Sequence, residues 1–308
     1  LRKDTVRAAK TRPFTRVLVA NRGEIAVRVI RACRDLGIES VAVYSDADTF
    51  ALHRRLANQS VHIGPAAAAD SYLRVERIID AAVEIKADAV HPGYGFLSEQ
   101  PALADACAAH GIAFIGPSRD ALAQLGDKIA ARKGASEAGV PVVPGTFEPI
   151  ALDDAGGELR LRTEADRIGY PVLVKAAAGG GGRGMRRVDA ADSLIESVQA
   201  AGREALAAFG DGAVYLERYV ERARHIEVQL LGDNTGAIVA LGERDCSTQR
   251  RHQKLAEEAP APGLSEPQRA QVHALGIKVA QTVGLRNAAT AEFLFTADGD
   301  FWFLEVNA

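Results

Sequence analysis

The sequence predicts an α/β protein: a Rossmann-like unit comes first, then a smaller glycine-flapped unit and a strand-rich body. Three observations predict it. β-branched runs alternate with helical patterns from Arg16 to Ile115. Five glycines separate two strand-like runs in the stretch from Lys175 to Met185. Two apolar runs, Ala291 to Phe295 and Phe301 to Asn307, flank a turn of Thr296-Ala-Asp-Gly-Asp300. The 308 residues suffice for two or three subdomains, and 47% hydrophobic against 25% charged residues is the balance of a chain with a real core. A net charge of −3 without a basic stripe gives no reason to expect nucleic acid, and no apolar run reaches membrane-span length. Cys33, Cys107 and Cys246 are far apart, which suggests a reduced compartment and no disulfide framework.

Residues 1–15 form a basic tail, with Arg2, Lys3, Arg7, Lys10 and Arg12 against Asp4; a disordered tail and a presequence remnant both fit it. Residues 16–130 read as the Rossmann-like subdomain. A strand from Arg16 to Ala20 turns through Asn21-Arg-Gly-Glu24 into a helix whose apolar face is Ile25, Val29, Ile30, Cys33 and Leu36. Gly37 stops that helix, and Ser40 to Tyr44 is the next strand. The turn has one glycine where a dinucleotide fingerprint needs three, which argues against nicotinamide cofactors and makes Asp46 and Asp48 turn residues. A helix from Val75 to Glu84 leads to the strand Ala87 to Val90 and into His91-Pro-Gly-Tyr-Gly-Phe-Leu-Ser-Glu99. That loop sits at the carboxyl end of a parallel strand, where α/β sheets hold ligands. A helix from Pro101 to His110 and a strand from Ile112 to Ile115 complete the unit.

Gly126-Asp-Lys128 opens another helix with a cation in its first turn, where the helix dipole disfavours it unless an anion joins. Residues 131–145, with Gly139-Val-Pro-Val-Val-Pro-Gly145, read as a linker and hinge. Residues 146–219 read as a lid: a strand from Tyr170 to Lys175, the flap, a returning strand Arg186-Arg-Val188, a helix over 191–208 and a strand from Ala213 to Glu217. Bare glycine N–H groups beside Lys175, Arg183 and Arg186 suit a polyphosphate. Gly179, Gly181 and Gly184 satisfy G-x-G-x-x-G, but the residues after them read as strand, and no Gly-Lys pair exists for a Walker loop. Residues 220–308 read as the body: a strand from His225 to Leu231, a hairpin turn Asp233-Asn-Thr-Gly236, a strand from Ala237 to Leu241, a helix from Glu266 to Val283 and the final hairpin.

Two constellations accompany the flap. The run from Glu243 to Lys254 crowds Arg244, Arg250, Arg251, His252 and Lys254 together. Such a cluster repels itself unless neutralised, either by Asp245, Glu257 and Glu258 or by an anionic substrate or phosphoryl group. Cys246 within it reads as a packing residue. In the final hairpin, alternation points Glu305 and Asn307 to one face. A pairing that sets Leu294 beside Phe303 also sets Glu292 opposite Glu305. Opposed carboxylates on an apolar sheet are destabilising unless a cation joins them, and oxygen donors alone favour Mg²⁺ or Mn²⁺. The connector 217–220 suits backbone contact with a flat base. Together these make a nucleotide clamp for phosphoryl transfer from ATP.

These residues resemble a known family. Val19-Ala-Asn-Arg-Gly-Glu-Ile25, His91 to Glu99, Gly126-Asp-Lys128, the flap, the run Arg244 to Lys254 and Glu305-Val-Asn307 are similar to biotin carboxylase, the ATP-grasp component of biotin-dependent acyl-CoA and pyruvate carboxylases. The resemblance covers nearly the whole chain from Arg16. It implies a Rossmann-like subdomain followed by an ATP-grasp lid and body. It also implies an ATP-dependent ligase: ATP phosphorylates bicarbonate, and the carboxyphosphate delivers CO₂ to biotin on a carrier protein. By motif, Lys128 and Lys175 contact the phosphates, and Gly181 and Gly182 close over them. Glu217, Arg218 and Val220 line the adenine pocket, with His225 and Gln249 near the nucleotide. His252 and Lys254 approach the phosphoryl group as catalytic residues, and Glu292, Glu305 and Asn307 bind the metals. Implied partners are the biotin carboxyl carrier, a carboxyltransferase, bicarbonate and a second copy in a homodimer, with neither nucleic acid nor membrane; the implied location is the cytoplasm, or the mitochondrial matrix in a eukaryote.

The chain also departs from the pattern. In the family, Glu-x-Asn continues into Arg-x-Gln-x-Glu-His, which holds bicarbonate and supplies the base; here the sequence stops at Ala308 and reads as C-terminally truncated. Ala289 stands where a glycine is usual. The expectation is a nucleotide half that does not carboxylate biotin alone. Two rival readings stay open: another ATP-grasp ligase that activates bicarbonate or a carboxylate, and a non-catalytic nucleotide-binding assembly module.

Overall fold

The computed structural model describes residues 14–150, 156–177, 185–250 and 253–308. Between Arg119 and Asp120 the chain divides into two compact units. In the first, β1 (Arg16–Val19), β2 (Glu39–Tyr44), β3 (Gln59–His62), β4 (Ala89–His91) and β5 (Ala113–Phe114) form a parallel sheet in the order β3-β2-β1-β4-β5. The helices are α1 (Gly23–Leu36), α2 (Leu52–Leu56), α3 (Val75–Glu84) and α4 (Pro101–Ala109). β1 is apolar at successive residues because both of its faces are covered. Val17 and Val19 join Val29, Ile30 and Cys33 of α1, while Leu18 joins Ile78 of α3 and Leu103 of α4. The sheet is doubly wound, and strand order reverses between β1 and β4. There Asn21 donates to the carbonyls of Pro92 (2.7 Å) and Tyr94 (2.8 Å), pinning the loop after β4 to the turn after β1. The acids expected as turn residues are engaged locally: Asp48 accepts from Tyr72 and Ser45, and Asp46 lies 2.7 Å from His62.

The second unit begins within α5 (Arg119–Gly126) and contains α6 (Lys128–Glu137), α7 (Gly157–Ile168), β6 (Val172–Ala176), β7 (Arg186–Val188), α8 (Leu194–Phe209), β8 (Val214–Arg218), β9 (Arg224–Gly232), β10 (Ile238–Arg250), β11 (Gln253–Glu258), α9 (Glu266–Thr282), β12 (Asn287–Phe295) and β13 (Phe301–Asn307). The lid is a three-stranded antiparallel sheet in the order β7-β6-β8. One of its faces packs Val172, Val174 and Leu216 against Leu161 of α7 and Val198 of α8. The opposite face carries Lys175 and Tyr215, which are cross-strand partners, and Glu217 two residues on. The body sheet is antiparallel, ordered β11-β10-β9-β12-β13. Ile226, Val228 and Leu230 turn toward α9 and its Val272 and Val279, so His225, Glu227 and Gln229 line the other face. Ser265 and Gln268 form a reciprocal capping box that starts α9.

Three expectations are corrected. The segment 131–145 is not a linker throughout: α6 continues to Glu137, because Asp127 accepts from the N–H groups of Ile129 and Ala130 and nucleates it. The residues after it are bonded rather than free. Pro141 accepts from the Phe303 N–H, and Pro144 from the Arg218 N–H. The basic run does not follow a strand but largely lies within strands: β10 extends to Arg250 and β11 returns from Gln253, pairing Gln249 with Lys254. In the final hairpin Glu292 does oppose Glu305, but Leu294 faces Trp302 and Phe293 faces Phe303. A bulge at Leu304 makes the difference.

Candidate active site

A cavity of about 390 Å³ lies between the lid face of β6 and β8 and the open face of the body sheet. Lys128, Lys175, Glu217, Arg218, Val220, His225, Gln249, Lys254, Glu292 and Glu305 all line it. The sequence had scattered these residues over nearly two hundred positions; strand alternation gathers them. His252, Gly181 and Gly182, and with them most of the glycine flap, fall outside the described residues.

On the lid side, the Lys175 ammonium donates to Glu217 Oε2 at 2.9 Å. Burial works against its charge, but the Glu217 carboxylate outweighs burial and lifts the lysine well above its ordinary range. Arg218 turns its guanidinium to the Ile168 carbonyl (3.0 and 2.7 Å), so it meets the end of α7 with its charged head. Lys128, the first residue of α6, lies 3.1 Å from Glu305. The anion expected beside that lysine is thus a carboxylate of the chain itself.

The floor is a network around Glu292, which is 5% exposed. Oε1 accepts from Lys254 (2.8 Å) and from Asn307 Nδ2 (2.7 Å), and Oε2 lies 2.7 Å from His225 Nε2. Burial would raise this carboxyl; His225 and Lys254 hold it down at about 2. Gln249 Nε2 donates to the Cys246 carbonyl (2.8 Å), which fixes its amide orientation and makes it a donor to His225 Nδ1 (3.1 Å) as well. Nδ1 of His225 is thereby occupied as an acceptor, and the ring turns Nε2 toward Glu292. Lys254 also donates to Glu227, a 3% exposed carboxylate that Arg244 holds from the other side. Cys246 is fully buried and its thiol is pushed up to about 12, mainly by burial, in keeping with a packing role.

Ligand atoms of His225, Glu227 and Glu292 lie within 4.8 Å of one another. The Lys254 ammonium is bonded to both carboxylates of that group, so it is an ion-pair cluster rather than a metal cage. Glu292, Glu305 and Asn307 fit a hard cation better. Two are cross-strand carboxylates, and Asn307 keeps its amide oxygen after its nitrogen has gone to Glu292. An all-oxygen set of that kind suits Mg²⁺ or Mn²⁺.

Sequence reasoning missed Arg132 and Glu227. Glu227 had a signal: it alternates with His225 on one strand. Arg132 had none, since a basic residue in a helix normally reads as solvated.

Two family models match in tandem. Residues 13–122 match the biotin carboxylase N-terminal domain, and residues 127–308 match the ATP-binding domain of the carbamoyl-phosphate synthase L chain. The chain belongs to the biotin carboxylase family. It is 50% identical over 294 residues to the biotin carboxylase of Nostoc, covering 96% of this chain and 65% of that protein. It is 49% identical over 294 residues to a pyruvate carboxylase subunit of Methanothermobacter thermautotrophicus, with 96% and 59% coverage. The chain thus spans about three fifths of the length of these relatives. The crystal structure of the Campylobacter jejuni biotin carboxylase–β,γ-ATP complex superposes with a TM-score of 0.91 at 47% identity, over 96% of this chain and 65% of that one. A biotin carboxylase domain dimer of Hydrogenobacter thermophilus 2-oxoglutarate carboxylase, with MgADP and bicarbonate, gives 0.90 at 45% identity, over 96% and 64%. Biotin carboxylase architecture, an ATP-grasp fold behind a Rossmann-like unit, is therefore the fold of this chain.

Proposed function

We propose that the chain supplies the nucleotide-handling part of a biotin carboxylase, an ATP-dependent ligase that carboxylates biotin on a carrier protein with bicarbonate. One observation carries the reading: three lysines from three elements converge on a single cavity, each held by a carboxylate on that cavity's wall. Such an arrangement is poised for exchange. A polyphosphate draws the ammonium groups of Lys128 and Lys175, and Glu305, which Lys128 leaves, is free for a cation. Glu292, Glu305 and Asn307 would hold Mg²⁺, which supplies charge neutralisation for the transferring phosphoryl group. Val220 and the backbone of 217–220 face the same cavity and suit the adenine, with His225 and Gln249 toward the phosphates. Lys254, on the floor between Glu227 and Glu292, is with His252 the proposed partner of the transferred group. Gly181 and Gly182 are proposed to close over the phosphates.

The partners proposed with this activity are bicarbonate, the biotin carboxyl carrier and a carboxyltransferase, with assembly as a homodimer. Among the described residues no helix is long and apolar enough to cross a membrane; a cytoplasmic or mitochondrial-matrix location is proposed. The test is calorimetric titration of the chain with MgATP, followed by ATP hydrolysis in the whole protein that carries it. MgATP binding, with hydrolysis that requires bicarbonate and is stimulated by biotin, is expected. A chain that binds no nucleotide, or hydrolysis indifferent to bicarbonate and biotin, overturns the proposal.

A further inference from the structure

Arg132 is the largest fully buried side chain of the described residues. It lies one turn after Lys128 on α6, yet none of its charge reaches solvent. Its guanidinium donates to the carbonyls of Thr146 (2.8 Å) and Val143 (2.7 Å), and Nε lies 2.9 Å from Glu217 Oε1, at an angle too bent for a full hydrogen bond. The other oxygen of Glu217 takes the Lys175 ammonium. Arginine, carboxylate and lysine thus form a buried row whose side chains are 0%, 3% and 13% exposed. Gly145 makes room for it: a Cβ there would meet Leu216 O at 2.4 Å and Arg132 Nη2 at 2.8 Å.

The charges in the row decide what it does. Two cations share one carboxylate, so the row carries a net positive charge, and its exposed end is the lysine in the cavity wall. Without the arginine, Glu217 and Lys175 would close into a neutral pair. We propose that Arg132 is a positioning residue for the nucleotide phosphates: by occupying one oxygen of Glu217, it leaves the Lys175 ammonium under-neutralised and available to a polyphosphate anion. This rests on the nucleotide reading above.

The experiment compares MgATP with adenosine, which lacks the phosphates, by calorimetry on four forms of the chain. Arg132→Met brings the row to zero charge but leaves a buried carboxylate with one partner, a change that can unfold a protein. Arg132→Met/Glu217→Gln removes both charges and restores the wild-type sum through Lys175 alone, and Glu217→Gln adds one positive charge. MgATP affinity is expected to follow the charge. It falls about tenfold or more in Arg132→Met, returns to within about threefold in the double variant, and rises above wild type in Glu217→Gln. Adenosine affinity stays within about twofold in Arg132→Met; in the two Glu217 forms, whose side chain lines the same cavity, the ratio of MgATP to adenosine affinity is the quantity that follows the charge. If Arg132→Met does not fold, the opposite shift in Glu217→Gln and the recovery in the double variant still decide. MgATP and adenosine affinities that fall together, or a Glu217→Gln chain whose ratio of MgATP to adenosine affinity falls below wild type, overturn the proposal and leave Arg132 a packing residue. A wild-type chain that binds adenosine nucleotides not at all sinks the nucleotide reading itself, which is a different failure.

Discussion

Replacing Lys254 with methionine tests the floor of the site most directly. Its ammonium lies between Glu227 and Glu292, which oppose each other on β9 and β12 and are 3% and 5% exposed. Without it, two buried carboxylates face each other and lose their shared cation. Breaking a buried ion pair typically costs about 3–5 kcal/mol. The acid–base balance gives a similar size: burial opposes ionisation of Glu292, yet its neighbours hold it at about 2 against an ordinary 4.5. A depression of that size contributes about 3 kcal/mol at neutral pH. In the wild type this contribution is present above the unfolded-state value and disappears as pH falls toward 2. Since His225 and Asn307 remain on Glu292 and Arg244 on Glu227, we expect a loss of about 2–4 kcal/mol near neutral pH. The variant reverses the pH trend. One of the facing carboxylates then holds its proton above the ordinary range, the folded state binds more protons than the unfolded, and acidification restores stability. The deficit should shrink by about 1 kcal/mol between roughly pH 7.5 and 5.5. Urea unfolding followed by the single tryptophan, Trp302 in β13, reads this sheet directly. A loss under about 0.5 kcal/mol, or a larger loss equal at both pH values, would refute the reasoning.

Two further outcomes follow from the same geometry. Glu305→Gln removes the counterion of Lys128 and a proposed metal ligand together; ATP affinity in chelator should rise, and the gain in affinity on adding Mg²⁺ should fall by about tenfold, measured by titration in both buffers. An undiminished Mg²⁺ gain would remove Glu305 from the metal site. Gly145→Ala should lower the melting temperature by several degrees, since the overpacking against Leu216 O and Arg132 costs about 1–3 kcal/mol; an unchanged melt would mean that the row beneath it yields.

Much of this was legible in the sequence for identifiable reasons. β1 declared itself by an unbroken apolar run, and β9 by the alternation from His225 to Leu231. Glu292 and Glu305 could be paired because the connecting turn is short and glycine-containing. What failed was information that no local pattern carries. Whether Arg244 to Lys254 runs as a loop or a hairpin depends on β10 finding β9 on one side and β11 on the other, a non-local event. The burial of Arg132 depends on three partners more than ten residues away: the backbone carbonyls of Val143, in the segment that reads as a linker, and of Thr146, just after it, and the Glu217 carboxylate. The glycine flap, the loudest signal in the sequence, lies outside the described residues.

The bulge in β13 sets a rule of parity. Phe301 and Phe303 point into the core, and by simple count Glu305 and Asn307 would follow them inward. The additional residue, Leu304, changes the count, so that odd-numbered side chains before it are apolar and buried while those after it are polar and reach the cavity side. Pairing Leu304 in plain register with Glu292, with no bulge, would leave the polarity of the strand intact yet carry a carboxylate and an amide into a layer of phenylalanines. The turns at 233–236 and 296–300 obey no such constraint, since a residue gained there alters no side chain's facing. With Leu304 present, the bulge between Phe303 and Glu305 is therefore under the same chemical demand as the carboxylate itself.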